Sequence, residues 1–263
     1  GRLPAGRLPQ TAVIRVCAIV PCYDNPHTVR GVVEGLRSRD LEVIVIDDGS
    51  GPEGELACQQ LQVDGLATVV RLANNSGKGA ACKAGFTKAR QLGYTHALQV
   101  DADGQHDLDQ VPVFVDAAKQ HPTALILAYP LYDESAPRSR KVARRITDFW
   151  VAMEVGSRSK IRDAMIGFRV YPLAAVERLR SIGDRMEFDI QIAVQLVRSG
   201  CDTVNLPIKV RYLAKDEGGI SHFRPLRDNL RFAWMHSKLC TVGCVQWTFR
   251  KLWPFARRKE AVQ

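Results

Sequence analysis

Polar clusters follow four successive apolar runs of the chain, and their residue types are those that bind phosphates and hard cations. The clusters read PCYDN from residue 21, DDGS from 47, NNSGKG from 74 and DADGQH from 101. In open α/β sheets, ligands bind beyond the carboxyl ends of the strands, so clusters in these positions meet at one edge. Each cluster alone is a weak signal. Their conjunction predicts one binding site and disfavours a purely structural protein.

Asp101 and Asp103 are the candidate metal ligands, because two carboxylates one residue apart can both direct oxygens toward one cation. Mg²⁺ or Mn²⁺ suits such hard oxygen ligands and keeps open positions for substrate phosphates. A bound cation then neutralises a diphosphate as it leaves. The alternative interpretation is a turn in which both aspartates bond to their own backbone.

Lys78 and Asp48 are candidate nucleotide contacts. Lys78 precedes a predicted helix N-terminus, where it can meet a phosphate, although a solvated lysine on a glycine turn is the alternative. The NNSGKG run lacks the full GxxxxGK[ST] spacing, which disfavours a P-loop NTPase. Asp48 can accept hydrogen bonds from a base or a ribose. The first turn lacks GxGxxG, which disfavours an NAD-dependent dehydrogenase.

The elements that position these clusters are predicted from hydrophobic periodicity. An apolar helical face over 29–36 and a helix from Lys78 to about Gln91 are expected, while the segment between the second and third strands is expected to be a loop. The order indicates a doubly wound, mostly parallel α/β sheet. The predicted strands are the Val-, Ile- and Leu-rich runs Val16–Val20, Val43–Ile46, Thr68–Leu72, Ala97–Val100 and Ala124–Ala128.

Charge is distributed unevenly along the chain. Of the net charge of +9, residues 1–15 carry +3 and residues 224–263 carry +7, so the body is almost neutral. Basic ends on a neutral body favour an anionic membrane surface or an acidic ligand over nucleic acid. The seven cysteines show no metal-ligand spacing, and no apolar run approaches the roughly 20 residues that span a bilayer. These features predict a cytoplasmic protein that lies on the inner face of the cell membrane.

Six motifs in order resemble the family 2 glycosyltransferases of GT-A fold, over roughly residues 14–215. They are AIVPCYDNP, VIVIDDGS, NNSGKGAA, QVDADGQHD, DAMIGFRVYP and MEFDIQIAVQLVRSG. The branch most similar contains dolichol-phosphate mannose synthases and bacterial polyprenyl-phosphate glycosyltransferases. The resemblance implies a single GT-A catalytic domain over 14–215, with a flexible N-terminal tail over 1–13.

The resemblance also implies roles for individual residues. Asp101, Asp103 and Gln105 would hold the metal, and Asp101 would also lie at the nucleotide. The phosphates would be held by Arg169 of the GFR motif and by one arginine of Arg140, Arg144 and Arg145. The nucleotide would be framed by Pro21, Tyr23, Asp24 and Asp48, with Lys78 close by.

The general base of many members lies at the start of a late helix, where this chain has Asp189, the preferred candidate, and Glu187. A hydroxyl acceptor requires such a base, whereas a phosphate acceptor does not. A helix N-terminal acid that matches the helix dipole is the alternative role. His222 stands where the mannose-synthase branch often has a lysine. It is a candidate diphosphate or metal contact, or an ordinary surface residue.

Residues 216–263 are predicted to form an acceptor-side loop and a basic amphipathic tail. After Pro225, a helix would place Leu226, Leu230, Ala233 and Trp234 on one side, and such a helix can lie in the lipid interface. Packing on the catalytic body is the alternative.

The predicted function is transfer of a sugar from a UDP- or GDP-linked donor to a lipid-linked acceptor, with Mg²⁺ or Mn²⁺ as cofactor. The acceptor would be a polyprenyl phosphate or a lipid hydroxyl. The alternatives are a nucleotidyltransferase and a non-catalytic nucleotide-binding scaffold.

Overall fold

The computed structural model describes residues 13–131, 138–179, 182–210, 234–237, 239 and 241, the side chains of 138–143 excepted. The chain divides into two compact units, 1–222 and 223–263. In the second unit the described residues are helical. Met235 and Leu239 are buried there, while Trp234 is exposed. The predicted tail over 1–13 and most of the region over 216–263 lie outside the described residues, with the exception of Val13, which is exposed.

A seven-stranded sheet forms the first unit, in the order β3-β2-β1-β4-β6-β5-β7. β1 to β4 are parallel, β6 runs antiparallel to both of its neighbours, and β7 is parallel to β5. The five predicted strands are confirmed, and β6 and β7 are additional. The strand bounds are β1 Val16–Cys22, β2 Val43–Asp47, β3 Thr68–Arg71, β4 His96–Gln99, β5 Leu125–Leu131, β6 Arg169–Pro172 and β7 Thr203–Lys209.

Within the described part of the first unit, seven α-helices lie between these strands, with α6 and α7 in succession, and a 3₁₀ turn over Leu108–Gln110 precedes the fourth. The helix bounds are α1 Val29–Arg37, α2 Pro52–Val63, α3 Lys78–Gln91, α4 Val111–Gln120, α5 Arg138–Val155, α6 Leu173–Val176 and α7 Phe188–Arg198. None of the helices within the described residues combines the length and apolar character needed to cross a bilayer.

The helix α2 corrects the expectation of a loop between β2 and β3. It begins with Pro52 in its first turn, where the fixed φ and missing N–H of proline are tolerated. Its buried residues, Gly54, Cys58 and Leu61, keep helical spacing, but glycine adds no apolar side chain to this face, and the larger apolar residues Leu56 and Val63 are exposed. The apolar periodicity that reveals α1, which buries all its predicted apolar positions, is therefore weak in α2.

The sheet topology brings the polar clusters to one edge. Cys22 at the end of β1 lies beside Asp47 at the end of β2, and β4 ends at Gln99 on the other side of β1. Because β6 is antiparallel, it begins at this same edge, with Arg169 paired to Gln99 and to Leu127. The turns after β1, β2, β3 and β4 and the GFR motif before β6 therefore share one end of the sheet.

Candidate active site

Lys78, the first residue of α3, forms ion pairs with two carboxylates at this edge of the sheet. Its Nζ lies 2.7 Å from Asp101 Oδ1 and 2.8 Å from Asp189 Oδ2. Burial of the ammonium group opposes its charge, but the two carboxylates outweigh burial and raise the pKa of Lys78. The side chain is therefore a partly buried cation that joins the residues after β4 to the late helix α7.

Asp101 fits beneath Gly167 of the GFR motif. A Cβ atom at Gly167 would lie 2.6 Å from Asp101 Cγ and closer still to both carboxylate oxygens. Only glycine leaves room for the carboxylate in this position. The resemblance pointed to the arginine of the motif, whereas the structure shows that its glycine also shapes the site.

The rest of the DADGQH segment turns back on itself. Asp103 Oδ1 accepts a hydrogen bond from the Gln105 backbone N–H at 3.0 Å, so one of the two aspartates makes the backbone bond of the turn considered as the alternative. This bond uses one carboxylate oxygen of Asp103. His106 packs the edge of its ring on Phe168, and its backbone bridges to Val210. These contacts fix the end of the DADGQH segment, after the predicted metal ligands, against the residue that follows β7.

Asp48 organises the turn that precedes α3. Its two carboxylate oxygens accept hydrogen bonds from the Ser76 and Gly77 backbone N–H groups, both at 2.7 Å. Burial raises the pKa of Asp48, and these two bonds act in the opposite direction. Gly77 has φ +105°, and a Cβ there would meet the backbone of Asp184 at 2.5 Å. The glycine of the NNSGKG run is thus required by both conformation and close approach.

The turn after β1 is fixed against the turn after β2. Asp24 adopts a left-handed backbone conformation with φ 49°. Its Oδ1 accepts a hydrogen bond from the Gly51 N–H at 2.8 Å, and its own N–H donates to Ser50 Oγ at 3.0 Å. Pro21 and Tyr23, on either side of Cys22, are half-buried. The predicted nucleotide-framing residues therefore lie together at the β1–β2 edge.

Asp189, the preferred base candidate, is buried, and each of its carboxylate oxygens has a partner. Besides Lys78, it accepts a hydrogen bond on Oδ1 from Gln99 Nε2 at 3.0 Å, and Tyr171 Oη donates to Gln99 Oε1 at 3.1 Å. Burial raises the pKa of Asp189, but Lys78 and Arg169 more than offset it and the net shift is downward. A carboxylate held in its charged form by two cations is a weak proton acceptor.

Glu187, the second base candidate, is less constrained. It occupies the N-cap position of α7 without a side-chain capping hydrogen bond, and it is half-buried. Within the part of the chain that the structure describes, its Oε2 is shielded from solvent and has no hydrogen-bond partner. A Cβ at Gly183 would meet Glu187 Oε1 at 2.6 Å, so the preceding loop closes over the carboxylate.

Arg169 does not reach the surface, which differs from the expectation of a phosphate-facing side chain. Its exposed fraction is 0%. Nε donates to the Ile166 carbonyl at 2.7 Å and Nη1 donates to the Asp189 carbonyl. As the first residue of an interior antiparallel strand, the side chain enters the layer between the sheet and α7. Arg169 thus ties the GFR loop to the helix that carries Asp189.

The other candidate arginines lie on α5. Arg144 forms an ion pair with Asp163, which is buried and accepts hydrogen bonds on Oδ1 from the Met165 and Ile166 N–H groups, both at 2.8 Å. Arg145 is exposed. The side chain of Arg140, and all of His222, lie outside the described residues. Of the two arginines whose side chains are described, Arg144 is therefore the one that contacts the loop leading to Gly167.

The donor set fits a divalent cation in chemical type. Burial raises the pKa of Asp103, and the negative charge of Asp101 raises it further, so the two carboxylates repel each other in the absence of a cation. Among the residues that the structure describes, no three His, Cys, Asp or Glu side chains converge as metal ligands. A cation here would need the two aspartates, the Gln105 amide oxygen and oxygens of a bound phosphate.

Two parts of the site were assigned no role from the sequence. Gln99 and Tyr171, which lie within the quoted motifs, are buried residues that link β4 and β6 to Asp189. A glutamine between apolar neighbours at the end of β4 requires a buried partner, and this is the signal that could have revealed it. Arg185 Nη1 donates to Asn75 Oδ1 at 2.9 Å, closing the loop before α7 onto the NNSGKG turn.

This architecture is that of the GT-A glycosyltransferases. It matches the structure of glucosyl-3-phosphoglycerate synthase from Mycobacterium tuberculosis in complex with Mn²⁺ and UDP-glucose, with a TM-score of 0.58 over 78% of this chain and 74% of that chain. The sequence identity is 17%, so this likeness establishes the fold alone.

The chain belongs to glycosyl transferase family 2, whose domain matches residues 17–180. It is 26% identical over 209 residues to an undecaprenyl-phosphate mannosyltransferase of Micrococcus luteus, covering 74% of this chain and 83% of that protein. It is 24% identical over 217 residues to a UDP-N-acetylglucosamine–dolichyl-phosphate N-acetylglucosaminyltransferase of Methanococcus voltae, covering 74% of this chain and 84% of that protein. The protein is a family 2 glycosyltransferase, as the resemblance implied.

Proposed function

We propose that the protein transfers a sugar from a UDP- or GDP-linked donor to a lipid-linked acceptor, a polyprenyl phosphate or a lipid hydroxyl, with Mg²⁺ or Mn²⁺ bound. The observation that carries the proposal is the convergence of Lys78, Asp101 and Asp189 at the carboxyl edge of the sheet. Family membership supports sugar transfer. The acceptor class is supported by the names of the relatives from Micrococcus luteus and Methanococcus voltae, which act on polyprenyl-type phosphates.

The nucleotide would bind between the turns after β1 and β2. Asp48 has both oxygens occupied by backbone N–H groups, yet each carboxylate oxygen retains a second lone pair that can accept from a base or a ribose. Pro21, Tyr23 and Asp24 would form the opposite wall. Asp48 would thus contact the nucleotide and hold the turn from which Lys78 projects.

The diphosphate would lie between Lys78 and the aspartates after β4. An ammonium group has three N–H donors, and two of those on Lys78 face Asp101 and Asp189, which leaves one for a phosphate oxygen. Asp101, Asp103 and Gln105 would hold Mg²⁺ or Mn²⁺. When bound, the cation supplies charge neutralisation for the departing diphosphate.

Asp189 and Glu187, the two acids at the start of α7, would have different roles. We assign Asp189 the positioning of Lys78, because its two oxygens are already committed to Lys78 and Gln99. Glu187, whose Oε2 makes no hydrogen bond to another described residue, is the better proton acceptor for a hydroxyl acceptor. A phosphate acceptor is already an anion and requires neither. Arg169 would position α7, while Arg140, Arg144, Arg145 and His222 remain the candidate phosphate contacts.

A transfer assay tests the proposal. The full chain is incubated with UDP- and GDP-linked hexoses, Mn²⁺, and either a polyprenyl phosphate or the matching alcohol, and the lipid product is identified by mass spectrometry. Asp103→Asn should abolish transfer, while Asp116→Asn, an exposed aspartate on α4, should leave it unchanged.

Each alternative outcome refutes the proposal. Release of pyrophosphate when the chain is given a nucleoside triphosphate and a sugar 1-phosphate in place of the nucleotide sugar would identify a nucleotidyltransferase. The absence of both lipid product and nucleoside diphosphate with every donor would identify a non-catalytic scaffold.

A further inference from the structure

The outer face of α5 carries an exposed apolar stripe. Residues at positions i, i+3, i+4 and i+7 lie within one arc of about 100° on an α-helix. On α5 these positions are all large and apolar, with exposed fractions of 58% for Ile146, 48% for Phe149, 38% for Trp150 and 59% for Met153. The rings of Phe149 and Trp150 contact each other edge to face, with centroids 5.8 Å apart.

Among the described residues, α5 packs on the protein through its opposite side. Val151 and Val155, on the opposite side of α5, are buried, and the helix packs against α7. Arg198 of α7 donates to the Glu154 carbonyl at 2.9 Å and fixes the end of α5. A surface helix ordinarily presents a polar outer face, so an apolar stripe there indicates a surface that binds something.

Charge and aromatic content indicate what binds. Five of the first eight residues of α5 are arginine or lysine, and the helix carries net +3 from five basic and two acidic residues. A basic helix with tryptophan and phenylalanine on its apolar face suits the interface of an anionic bilayer, where aromatic rings lie at the headgroup level. A protein partner of ordinary surface composition would not require this combination.

We propose that α5 is a docking surface for an anionic lipid bilayer. The proposal rests on the proposed function in one respect, since an acceptor anchored in a membrane requires the enzyme to work at the membrane surface. The same helix contacts the site, because Arg144 pairs with Asp163, which holds the loop that leads to Gly167. Docking through the stripe would therefore hold the acceptor side of the site next to the bilayer. The basic region over 224–263 would add electrostatic attraction.

Vesicle co-sedimentation of the full chain tests the proposal. The vesicles are phosphatidylcholine alone, or phosphatidylcholine and phosphatidylglycerol in equal amounts. The variant Phe149→Ser/Met153→Ser removes two members of the stripe, and Leu56→Ser/Val113→Ser removes two apolar side chains that are comparably exposed on α2 and α4. The stripe variant should partition onto the mixed vesicles roughly tenfold less than the parent, whereas the control should match it. Both variants should keep the parent melting temperature.

Transfer assays with free and with vesicle-embedded acceptor distinguish a failure of this proposal from a failure of the proposed function. With a short-chain polyprenyl phosphate free in water the stripe variant should transfer sugar at the parent rate, while transfer to vesicle-embedded acceptor should fall with the bound fraction. Equal vesicle binding by parent and stripe variant would overturn the role of α5, whatever the transfer assay shows. A parent that is dimeric in light scattering and a stripe variant that is monomeric would also overturn it, because the stripe would then be a contact between two copies.

Discussion

Gly167→Ala should remove activity while leaving the fold intact. The added Cβ would lie 2.6 Å from Asp101 Cγ, whereas an ordinary van der Waals contact begins at 3.4 Å, so the carboxylate must move by about 0.8 Å or more. That movement separates Asp101 from Lys78 and from the position proposed for the cation. Misplacing a group of an active site by about 1 Å can lower the reaction rate by about 10²-fold.

The loss of stability should be smaller than the loss of activity. Gly167 has an ordinary backbone conformation, so alanine introduces no φ strain, and overpacking of this kind costs about 1–3 kcal/mol. We expect kcat/KM for sugar transfer to fall by about 10²-fold, with a melting temperature lowered by only several degrees.

Gly31→Ala is the matched control. Gly31 lies within α1, and a Cβ there meets nothing within 4 Å. Alanine at this helical position should stabilise the protein by about 0.5–1 kcal/mol and leave transfer unchanged. Parent-level transfer by the Gly167→Ala variant at every Mn²⁺ concentration would refute the idea that Asp101 must occupy the space beneath Gly167.

Three further changes test the charges around the site. Lys78→Met leaves the Asp101 and Asp189 carboxylates without their cation, and urea unfolding at pH 7 should show a loss of about 3 kcal/mol; an unchanged midpoint would contradict the ion pairs. The lowered pKa of Asp189 means that its charge stabilises the fold above the usual aspartate pKa of about 4 and stops doing so as pH falls through the lower folded value. Asp189→Asn should therefore lower stability at pH 7 and differ less from the parent in acid, and a deficit that grows on acidification would contradict this sign. Asp48→Asn replaces an acceptor oxygen with a donor and leaves the backbone N–H of either Ser76 or Gly77 unsatisfied, so amide exchange should accelerate at one of the two, with a loss of about 1–3 kcal/mol; retained protection at both would contradict that role.

Much of the fold could be predicted from the sequence because the strands at the centre of the sheet are short and largely buried. Buried parallel strands appear as consecutive apolar residues, as in β1 and β2, and the start of α3 at Lys78 follows from the glycine turn before it. The helix α2 could not be predicted in the same way, because it rests on the sheet through only three buried residues.

The candidate site was predictable as a location but not as a set of contacts. Strand order brings the four clusters together, and each cluster is visible in the sequence. The pairing of Lys78 with Asp189 joins residues 111 positions apart, and it depends on how α7 packs against the sheet. The burial of Arg169 depends in turn on the antiparallel direction of β6, which no local pattern specifies.

The proposed docking surface on α5 is connected to the active site by the same packing. Asp163 joins α5 to the GFR loop, and Gly167 in that loop shapes the position of Asp101. A chain of direct contacts therefore runs from the exposed stripe of α5 to the predicted metal ligands. The apolar stripe is a feature of the catalytic domain itself and is separate from the basic region over 224–263.

Calorimetric titration of the full chain with UDP- and GDP-linked sugars tests the central claim most directly. The titration is made with Mn²⁺, then with EDTA, and is repeated on Asp103→Asn and on the control Asp116→Asn. One nucleotide sugar should bind the parent and the control, and binding should be lost with EDTA and with Asp103→Asn. Equal affinity in EDTA, or in Asp103→Asn with Mn²⁺, would contradict a metal-dependent diphosphate site at Asp101 and Asp103.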